Sequence, residues 1–255
     1  MALRFTSLGS GSSGNGLVVE SGETRVMMDC GFTLADTKAR LARVGLAPSQ
    51  ISGVVVTHEH DDHMGGVARF ALRYAIPVYL TRGTSQWLPP DFPAVLVKCI
   101  DSHTPFAIDG LEVEPFPVPH DAREPVQYVF SDGDARLGVL TDIGTVTQHV
   151  VEKLSGCEAL VLECNHDLDM LMEGPYPVSL KHRVAGRFGH LCNADAGRLL
   201  SALERSKLRH LIAAHLSQQN NKPELAVSAL ATAAGCEPEW VGIATPGDGF
   251  GWRDA

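Results

Sequence analysis

The chain has 255 residues, of which 44% are hydrophobic and 20% charged, a composition typical of globular proteins. Its formal net charge of −9 argues against a broad basic surface for polyanions, although bound cations could add local positive charge. No segment approaches the run of about 18 apolar residues that a membrane span requires. We expect a cytoplasmic protein with no membrane partner, because the chain shows no signal-peptide pattern and its six scattered cysteines fit free thiols.

The N-terminal third is predicted to contain strands, a glycine-rich loop and two helices. The loop at residues 10–16 could offer backbone N–H groups to a phosphate or form a tight turn, and we favour the turn. Ser12 and Asn15 are its candidate substrate contacts. Periodicity predicts helices over Leu34–Val44 and residues 65–75, and the apolar run at 51–57 predicts a strand buried on both faces.

The rest of the chain is predicted to contain hairpins first and then strands that alternate with helices. Asp109-Gly110 and Asp132-Gly133 mark two hairpins. Helices are predicted over 145–154, over 193–206 with Asn193 as the cap, and over 223–234, with strands over 159–165, 208–215 and 239–245. These elements predict an α/β protein with an αββα four-layer sandwich, in which two mixed sheets are flanked by helices, in a single domain over 1–255.

Six consecutive polar residues follow the strand at 51–57: His58, Glu59, His60, Asp61, Asp62 and His63. Alternate positions of an extended segment point to the same side, so His58 and His60 can reach one ion. A turn can bring Asp62 and His63 to a second ion, with Glu59 and Asp61 pointing away. Imidazole and carboxylate donors suit Zn²⁺, Mn²⁺ or Fe²⁺ better than Ca²⁺, so the pattern predicts a metal site.

The pattern T-H-x-H-x-D-H after a strand resembles the central motif of the metallo-β-lactamase fold superfamily. By that resemblance the first metal ion takes His58, His60 and His120, the second takes Asp62, His63 and His215, and Asp142 bridges the two. His120, Asp142 and His215 stand in the stretches "VPHDA", "LGVLTD" and "LIAAHLS". The resemblance implies two divalent metal ions per chain, Mn²⁺ or Zn²⁺, with Fe²⁺ also compatible.

Four further stretches resemble the YycJ/WalJ branch of this superfamily, and together they span most of the chain. They are "SLGSGSSGNG" (7–16), "ECNHD" (163–167), "GPYPVSLKHRVAGRFGHLCN" (174–193) and "HLSQQNNKP" (215–223). The branch is similar to DNA exonucleases that act 5′ to 3′, so the resemblance implies a DNA substrate. Two metal ions held by these ligands could share a bridging hydroxide that attacks the phosphodiester. Cys192 departs from the serine expected in "GHLSN", which puts in doubt any role for a hydroxyl group there.

Catalytic and substrate-binding residues can be proposed for phosphodiester hydrolysis. Asp62 is the candidate to orient the attacking water or accept its proton, and His190 is the candidate proton donor to the leaving oxygen, with His166 second. Lys181, Arg183 and Arg187 form a basic stretch that either holds flanking phosphates or is a solvated helix face. The candidate substrate contacts also include Asn165, His166 and Asn193, and Asn165 could instead orient a metal ligand.

The sequence leaves other functions open. A phosphodiesterase for a small cyclic or diester metabolite would use the same donors, and the acidic composition favours it modestly. A glyoxalase-type thioester hydrolase shares the ligands but gives no reason for the basic stretch. A two-iron redox protein would need a fused flavin domain, and a metal-free interaction module would not keep every ligand. The apolar C-terminal stretches permit a homodimer.

Overall fold

The computed structural model describes residues 2–255, which form fourteen strands in two sheets. The first sheet contains β1 (Leu3–Gly9), β2 (Gly16–Ser21), β3 (Thr24–Met28), β4 (Gly53–Val55), β5 (Val78–Thr81), β6 (Val97–Ile100) and β14 (Phe250–Asp254). The second contains β7 (Phe106–Ile108), β8 (Leu111–Pro117), β9 (Val126–Ser131), β10 (Arg136–Leu140), β11 (Ala159–Glu163), β12 (His210–Ala214) and β13 (Val241–Ile243). Each sheet therefore has seven strands.

The helices lie outside the two sheets. They are α1 (Leu34–Arg43), α2 (Asp61–Met64), α3 (Val67–Tyr74), α4 (Arg82–Ser85), α5 (Gln148–Leu154), α6 (Leu168–Glu173), α7 (Val178–Val184), α8 (Asn193–Ala202) and α9 (Pro223–Ala234). Short 3₁₀ turns occur at Pro48–Gln50, Ala94–Leu96 and Pro238–Trp240. None of the helices formed by residues 2–255 has the length and hydropathy that crossing a membrane requires.

The two sheets share one pattern of strand pairing. In the first sheet β1, β2 and β3 pair antiparallel, and β3, β4, β5 and β6 then pair parallel. In the second sheet β8, β9 and β10 pair antiparallel, and β10, β11, β12 and β13 pair parallel. Ligands of such sheets bind beyond the carboxyl ends of the parallel strands, so this edge is where a site is expected.

Three apolar layers hold the sandwich together. The inner layer fills the space between the sheets and includes Phe5 and Phe130, both fully buried. One outer layer packs α1 and α3 on the first sheet, and the other packs α5, α8 and α9 on the second. The Tyr128 hydroxyl also joins the sheets, because it donates to the carbonyl of Val56 at 2.8 Å. The predicted four-layer αββα fold is confirmed.

Most predicted elements occur, with corrections at their ends. The helices at Leu34–Val44 and 65–75, both hairpins and the later strands all lie within the predicted spans. The helix predicted from residue 145 begins at Gln148, because the Thr147 side chain caps it by accepting from Val150 N. The prediction that Asn193 caps α8 was wrong: Cys192 is the capping residue, and the helix ends at Ala202 rather than 206. Helices α2, α4 and α6 had not been predicted, and α7 had been considered only as the helix-face alternative for the basic stretch.

Candidate metal centre

Seven predicted ligand residues lie together where strands of both sheets end. His58, His60, Asp62 and His63 follow β4, and His120, Asp142 and His215 follow β8, β10 and β12. Four of the seven line a cavity of about 360 Å³: His60, Asp62, Asp142 and His215. The four segments are far apart in the sequence, so the sandwich itself brings their side chains together.

Three imidazoles form the first cluster. His58 Nε2 lies 3.0 Å from His60 Nδ1, and His120 Nε2 lies 3.3 Å from the same atom. Burial, together with the nearby His63, holds the pKa of His58 well below its ordinary value, so this ring is neutral. Neutral imidazole is the form that binds a metal ion, and three converging ring nitrogens fit one cation.

The second cluster joins Asp62, His63 and His215. Asp62 Oδ2 lies 3.5 Å from Nε2 of both His63 and His215. The Asp142 carboxylate lies between the two clusters, with Oδ2 2.9 Å from His63 Nε2 and Oδ1 3.9 Å from His120 Nε2. A carboxylate that turns one oxygen towards each cluster has the arrangement expected of a bridging ligand.

The unpaired donor atoms and the buried negative charge at these residues suit divalent cations. Asp142 Oδ2 and His215 Nε2 are buried, and among residues 2–255 no group, His63 included, meets either atom with the geometry of a hydrogen bond. Burial opposes a charge on His215, yet Asp142, Asp62 and Glu163 raise its pKa to about 10. The buried carboxylates thus attract positive charge strongly. Unpartnered donor atoms beside such carboxylates are what a metal ion would satisfy.

The backbone bends sharply at the residues that enter the site. Five non-glycine residues within 2–255 have left-handed backbone, and three of them are Asp29 (φ 60°), Asp142 (φ 51°) and His215 (φ 55°). This conformation is unfavourable for residues with a Cβ and persists where the surroundings enforce it, often at functional sites. Here each bend follows a strand that leads into the site.

Asp62 is held by the glycine-rich N-terminal loop. Asn15 donates from its backbone N–H to the Asp62 carbonyl at 2.7 Å and from Nδ2 to Asp62 Oδ2 at 3.3 Å. A Cβ on Gly31 would stand 1.8 Å from the Asp62 carbonyl oxygen, so only glycine permits this approach. Asn15 is buried and engaged here, so the structure does not present it to a substrate as proposed. The loop forms the tight turn that we favoured.

Asp29 binds His63 at Nδ1, the ring nitrogen that faces away from the cavity. Its Oδ2 accepts from His63 Nδ1 at 2.8 Å, while its Oδ1 accepts from the backbone N–H of Thr57 at 2.8 Å. A carboxylate in this position fixes the ring orientation and increases the basicity of the nitrogen that faces the cavity. Sequence reasoning missed Asp29. The only signal for it in the sequence was a lone carboxylate directly after the apolar strand "RVMM".

Glu163 is a second residue that the sequence did not reveal. Its fully buried carboxylate, at the end of β11, accepts from His190 Nδ1 at 2.8 Å and from His215 Nδ1 at 3.0 Å. It also accepts from the backbone N–H groups of Asp142, Ile143 and Leu191. Although burial opposes ionisation, His190 and His215 lower the pKa of Glu163 to about 2. An ionised carboxylate therefore aligns both imidazoles.

His190 lies on the wall of the cavity beside the second cluster. Its Nδ1 faces Glu163, and lies 3.5 Å from Asp142 Oδ1. Burial opposes a charge on this ring, but Glu163 and Asp142 raise its pKa above the ordinary value. With Nδ1 engaged, Nε2 is the nitrogen that can contact a bound molecule. A protonated histidine at the edge of the cavity can serve as a general acid.

The basic stretch lies on α7 and the loop that follows. Arg183 lines the cavity and donates from Nε to Asp121 Oδ2 at 2.6 Å, while Asp121 Oδ1 lies 3.5 Å from His120 Nε2. Lys181 donates to the carbonyl of Met172, and Arg187 is exposed outside the cavity lining. Only Arg183 of the three predicted basic contacts therefore reaches the cavity.

The other predicted substrate contacts divide into two groups. Ser12 is exposed and lines the cavity, whereas His166 lines a neighbouring cavity. Asn165 and Asn193 are buried and have protein partners: Asn165 Nδ2 donates to the carbonyl of His215, and Asn193 Nδ2 to Asn221 Oδ1. Neither asparagine lines the cavity at the metal centre, whereas Asn193 lines the neighbouring cavity together with His166.

Comparison with known proteins agrees with this architecture. The model of the beta-lactamase superfamily domain matches residues 24–216. The chain belongs to this superfamily. Exodeoxyribonuclease YycJ of Bacillus anthracis is 36% identical over 229 residues, which cover 89% of this chain and 87% of the relative. Exodeoxyribonuclease WalJ of Streptococcus pneumoniae is 29% identical over 234 residues, with coverages of 89% and 86%.

A solved structure shows the same fold across the full length of the chain. The metallo-beta-lactamase fold protein YhfI of Bacillus subtilis matches with a TM-score of 0.77 at 17% identity, covering 100% of both chains. The resemblance to the superfamily and to its YycJ/WalJ branch is thereby confirmed. The chain is a hydrolase with the metallo-β-lactamase fold, and its His/Asp clusters are the candidate metal-binding groups.

Proposed function

We propose that this chain is a dinuclear metal-dependent phosphodiester hydrolase that degrades DNA as an exonuclease from the 5′ end towards the 3′ end. The position of Asp142 between two donor clusters carries the proposal, because a shared carboxylate suits a pair of metal ions. The names of the YycJ and WalJ relatives, both exodeoxyribonucleases, support DNA as the substrate.

The residues would hold two ions in separate places. His58, His60 and His120 would hold the first ion, and Asp62, His63 and His215 the second, with Asp142 shared. Mn²⁺ or Zn²⁺ is proposed, and these nitrogen and oxygen donors also accept Fe²⁺. When bound, the ions would polarise the phosphoryl oxygens and lower the pKa of the attacking water.

Asp62 is the residue proposed to orient the attacking water. Burial opposes its ionisation, but the neighbouring His63 and His215 hold the pKa of Asp62 well below the ordinary value. Asn15 fixes its side chain by donating to Oδ2 at 3.3 Å. An ionised carboxylate in a fixed orientation can orient the water and accept a hydrogen bond from it.

His190 is the proposed proton donor to the leaving oxygen. The leaving group of DNA is a sugar alkoxide, which departs poorly unless a proton reaches it. Glu163 accepts from Nδ1 at 2.8 Å and raises the pKa of His190, which favours the protonated ring whose Nε2 can give its proton to that oxygen. Glu163 is thus a positioning residue that acts through His190.

Arg183 and Ser12 are the proposed contacts for the strand next to the scissile phosphate. Both side chains line the cavity, and Arg183 is the basic residue there. One cationic group, together with bound metal ions, gives local positive charge in a chain whose net charge is −9. The acidic surface elsewhere limits non-specific binding of DNA.

The proposal is tested by elemental analysis and by digestion of labelled substrates. Chelator-free protein should contain up to two divalent ions per chain, and a protein without any would contradict the metal assignment. With Mn²⁺ present, single- and double-stranded DNA labelled at the 5′ end should release the label as the first product. DNA labelled at the 3′ end should instead shorten gradually.

Cyclic phosphates provide the contrasting substrate class in the same assay. Hydrolysis of cyclic nucleotides with no digestion of DNA would overturn the nuclease proposal and leave a metabolite phosphodiesterase. Release of the 3′ label first would reverse the proposed polarity while leaving the hydrolytic chemistry in place.

A further inference from the structure

One wall of the cavity at the metal centre is apolar. Tyr176, Leu180 and Val184 line it, and all three belong to α7 or to the residues just before that helix. Leu180 and Val184 are four residues apart, which places them on one face of the helix. Among residues 2–255, the other residues that line the cavity are, apart from Gly189, polar or charged. The cavity thus combines the polar metal centre with a single apolar side, which we call the α7 wall.

The α7 wall is not part of the interior packing of the protein. Within the described chain α7 buries none of its residues, and Tyr176, Leu180 and Val184 belong to none of the three apolar layers. Each of the three is half-buried instead. Apolar side chains that face a cavity without filling a core gain from contact with a bound apolar group, because that contact removes their surface from water.

Hydrolysis of a phosphodiester gives no reason for an apolar wall. The metal ligands and His190, which would act on the phosphate, are all polar. In the part of the chain that the structure describes, Arg183 is the one charged residue of α7 that lines the cavity, and it is already paired with Asp121. The wall therefore suits an uncharged group with a flat apolar face. In DNA that group is the nucleobase, which accompanies every phosphodiester.

The α7 wall has a fixed position beside the proposed proton donor. The backbone N–H of His190 donates to the Val184 carbonyl at 2.8 Å. A Cβ on Gly189 would stand 2.2 Å from the carbonyl oxygens of both Arg183 and Val184, so only glycine permits the end of α7 to approach this closely. A group that rests on the wall therefore lies next to the residues that would cleave the phosphodiester.

We propose that the α7 wall binds the nucleobase of a nucleotide joined by the scissile phosphodiester, with the base stacked on the ring of Tyr176. The inference rests on the proposed nuclease function and concerns the part of the substrate that the metal centre does not contact. Aromatic side chains stack on bases of every kind, since each base has a π face. Leu180 and Val184 add aliphatic contacts beside the ring.

Removal of the base from the substrate tests the contact directly. Two single strands are compared in the presence of Mn²⁺: an oligothymidine, and the same strand with stable abasic sugars at the two terminal nucleotides of each end. The first cut of the oligothymidine should show a kcat/KM about tenfold above that of the abasic strand. A ratio of one, with both strands cut, would overturn this inference and leave the proposed nuclease intact. Cleavage of neither strand would contradict both proposals together.

Substitutions in and beside α7 separate stacking from a structural role. Tyr176→Ala should lower kcat/KM for the oligothymidine about tenfold and leave the abasic strand unchanged, because that strand has no base to stack. Tyr176→Phe keeps the ring and should retain the difference between the strands. Equal losses on both strands in Tyr176→Ala would show that the residue only maintains the structure, and would contradict stacking.

Val178→Ala is the matched control on the same helix. Val178 is 67% exposed and does not line the cavity, so this variant should cut both strands as the unmodified protein does. A loss in Val178→Ala equal to that in Tyr176→Ala would contradict a specific role for the α7 wall.

The same wall predicts that digestion is nearly independent of sequence. Reading a base requires hydrogen bonds or apolar contacts at its edge, whereas the wall offers a ring face and two aliphatic side chains. Strands that differ in the two bases beside the first scissile bond should be cut with kcat/KM values within about threefold of one another. A preference above about tenfold for one base would contradict binding through the base face.

Discussion

Two aspartates occupy matching places in the two sheets but differ in what they contact. Asp29 follows β3 and Asp142 follows β10, the strands at which antiparallel pairing changes to parallel pairing. Both have left-handed backbone, with φ of 60° and 51°. Asp29 lies behind His63 and holds Nδ1, whereas Asp142 lies in front and approaches Nε2 at 2.9 Å. His63 is thus held between equivalent residues of the two sheets.

The two sheets also differ in how many chain segments contribute residues to the site. The first sheet contributes four donors from one short segment after β4, because α2 begins at Asp61 and turns the chain back into the site. The second sheet contributes His120, Asp142, Glu163 and His215 from the ends of four separate strands. The first sheet therefore contributes one continuous sequence motif. The second sheet contributes residues that come together only when its strands pair side by side.

The largest effect is expected when Asp142 loses its charge. Asp142→Asn keeps the size of the side chain but removes the shared anionic donor, so hydrolysis of an aryl phosphodiester should fall by about 10³-fold. Metal content, measured by elemental analysis, should fall with it. Full activity with an unchanged metal content would remove Asp142 from the proposed site.

His190 should matter only for substrates that need a proton on the leaving group. His190→Ala should slow DNA hydrolysis by about 10²-fold or more. Hydrolysis of bis(p-nitrophenyl) phosphate should change far less, because its aryl leaving group departs without a proton. At saturating metal, Glu163→Gln should show the same split more weakly, since the His190 ring remains but loses the carboxylate that raises its pKa; because Glu163 also holds His215, metal affinity should fall as well. Equal losses on both substrates would argue against an acid role for His190.

Asp29→Asn tests the counterpart of Asp142 in the first sheet. The amide retains the shape but weakens the hydrogen bond to His63 Nδ1, so metal affinity should fall by about tenfold, as is usual for residues that orient a ligand. Activity at saturating metal should be largely restored. A loss of activity that excess metal cannot reverse would indicate that Asp29 has a different role.

The smallest effect is expected at Asp61, the neighbour of a proposed ligand. Asp61 lines the cavity but is exposed and belongs to none of the donor clusters, so Asp61→Asn should change activity by no more than about twofold. Asp62→Asn, one residue later, is the matched comparison and should remove most of the activity. Similar losses in both variants would show that charge in this turn, rather than one defined donor, is what matters.

Periodicity in the sequence was enough to predict the layers of the fold. Apolar runs such as 51–57 indicated strands buried on both faces, and Asp109-Gly110 and Asp132-Gly133 placed both hairpins. Helix ends were predicted less well, because Cys192 rather than Asn193 caps α8. Helix α6 was missed, and α7 was considered only as an alternative, because both are short and have few buried residues, which leaves little apolar periodicity to reveal them.

The sequence by itself determined the donor motif at His58–His63 and, through resemblance, the residues His120, Asp142 and His215. That was feasible because three histidines interleaved with carboxylates, directly after a buried strand, are typical of metal binding. Only the tertiary structure placed Asp29 and Glu163 at the site and turned Asn15 and Asn165 inwards as supports. A lone carboxylate at a strand end has no distinctive pattern, and its role is decided by which imidazole the neighbouring sheet brings within hydrogen-bond distance.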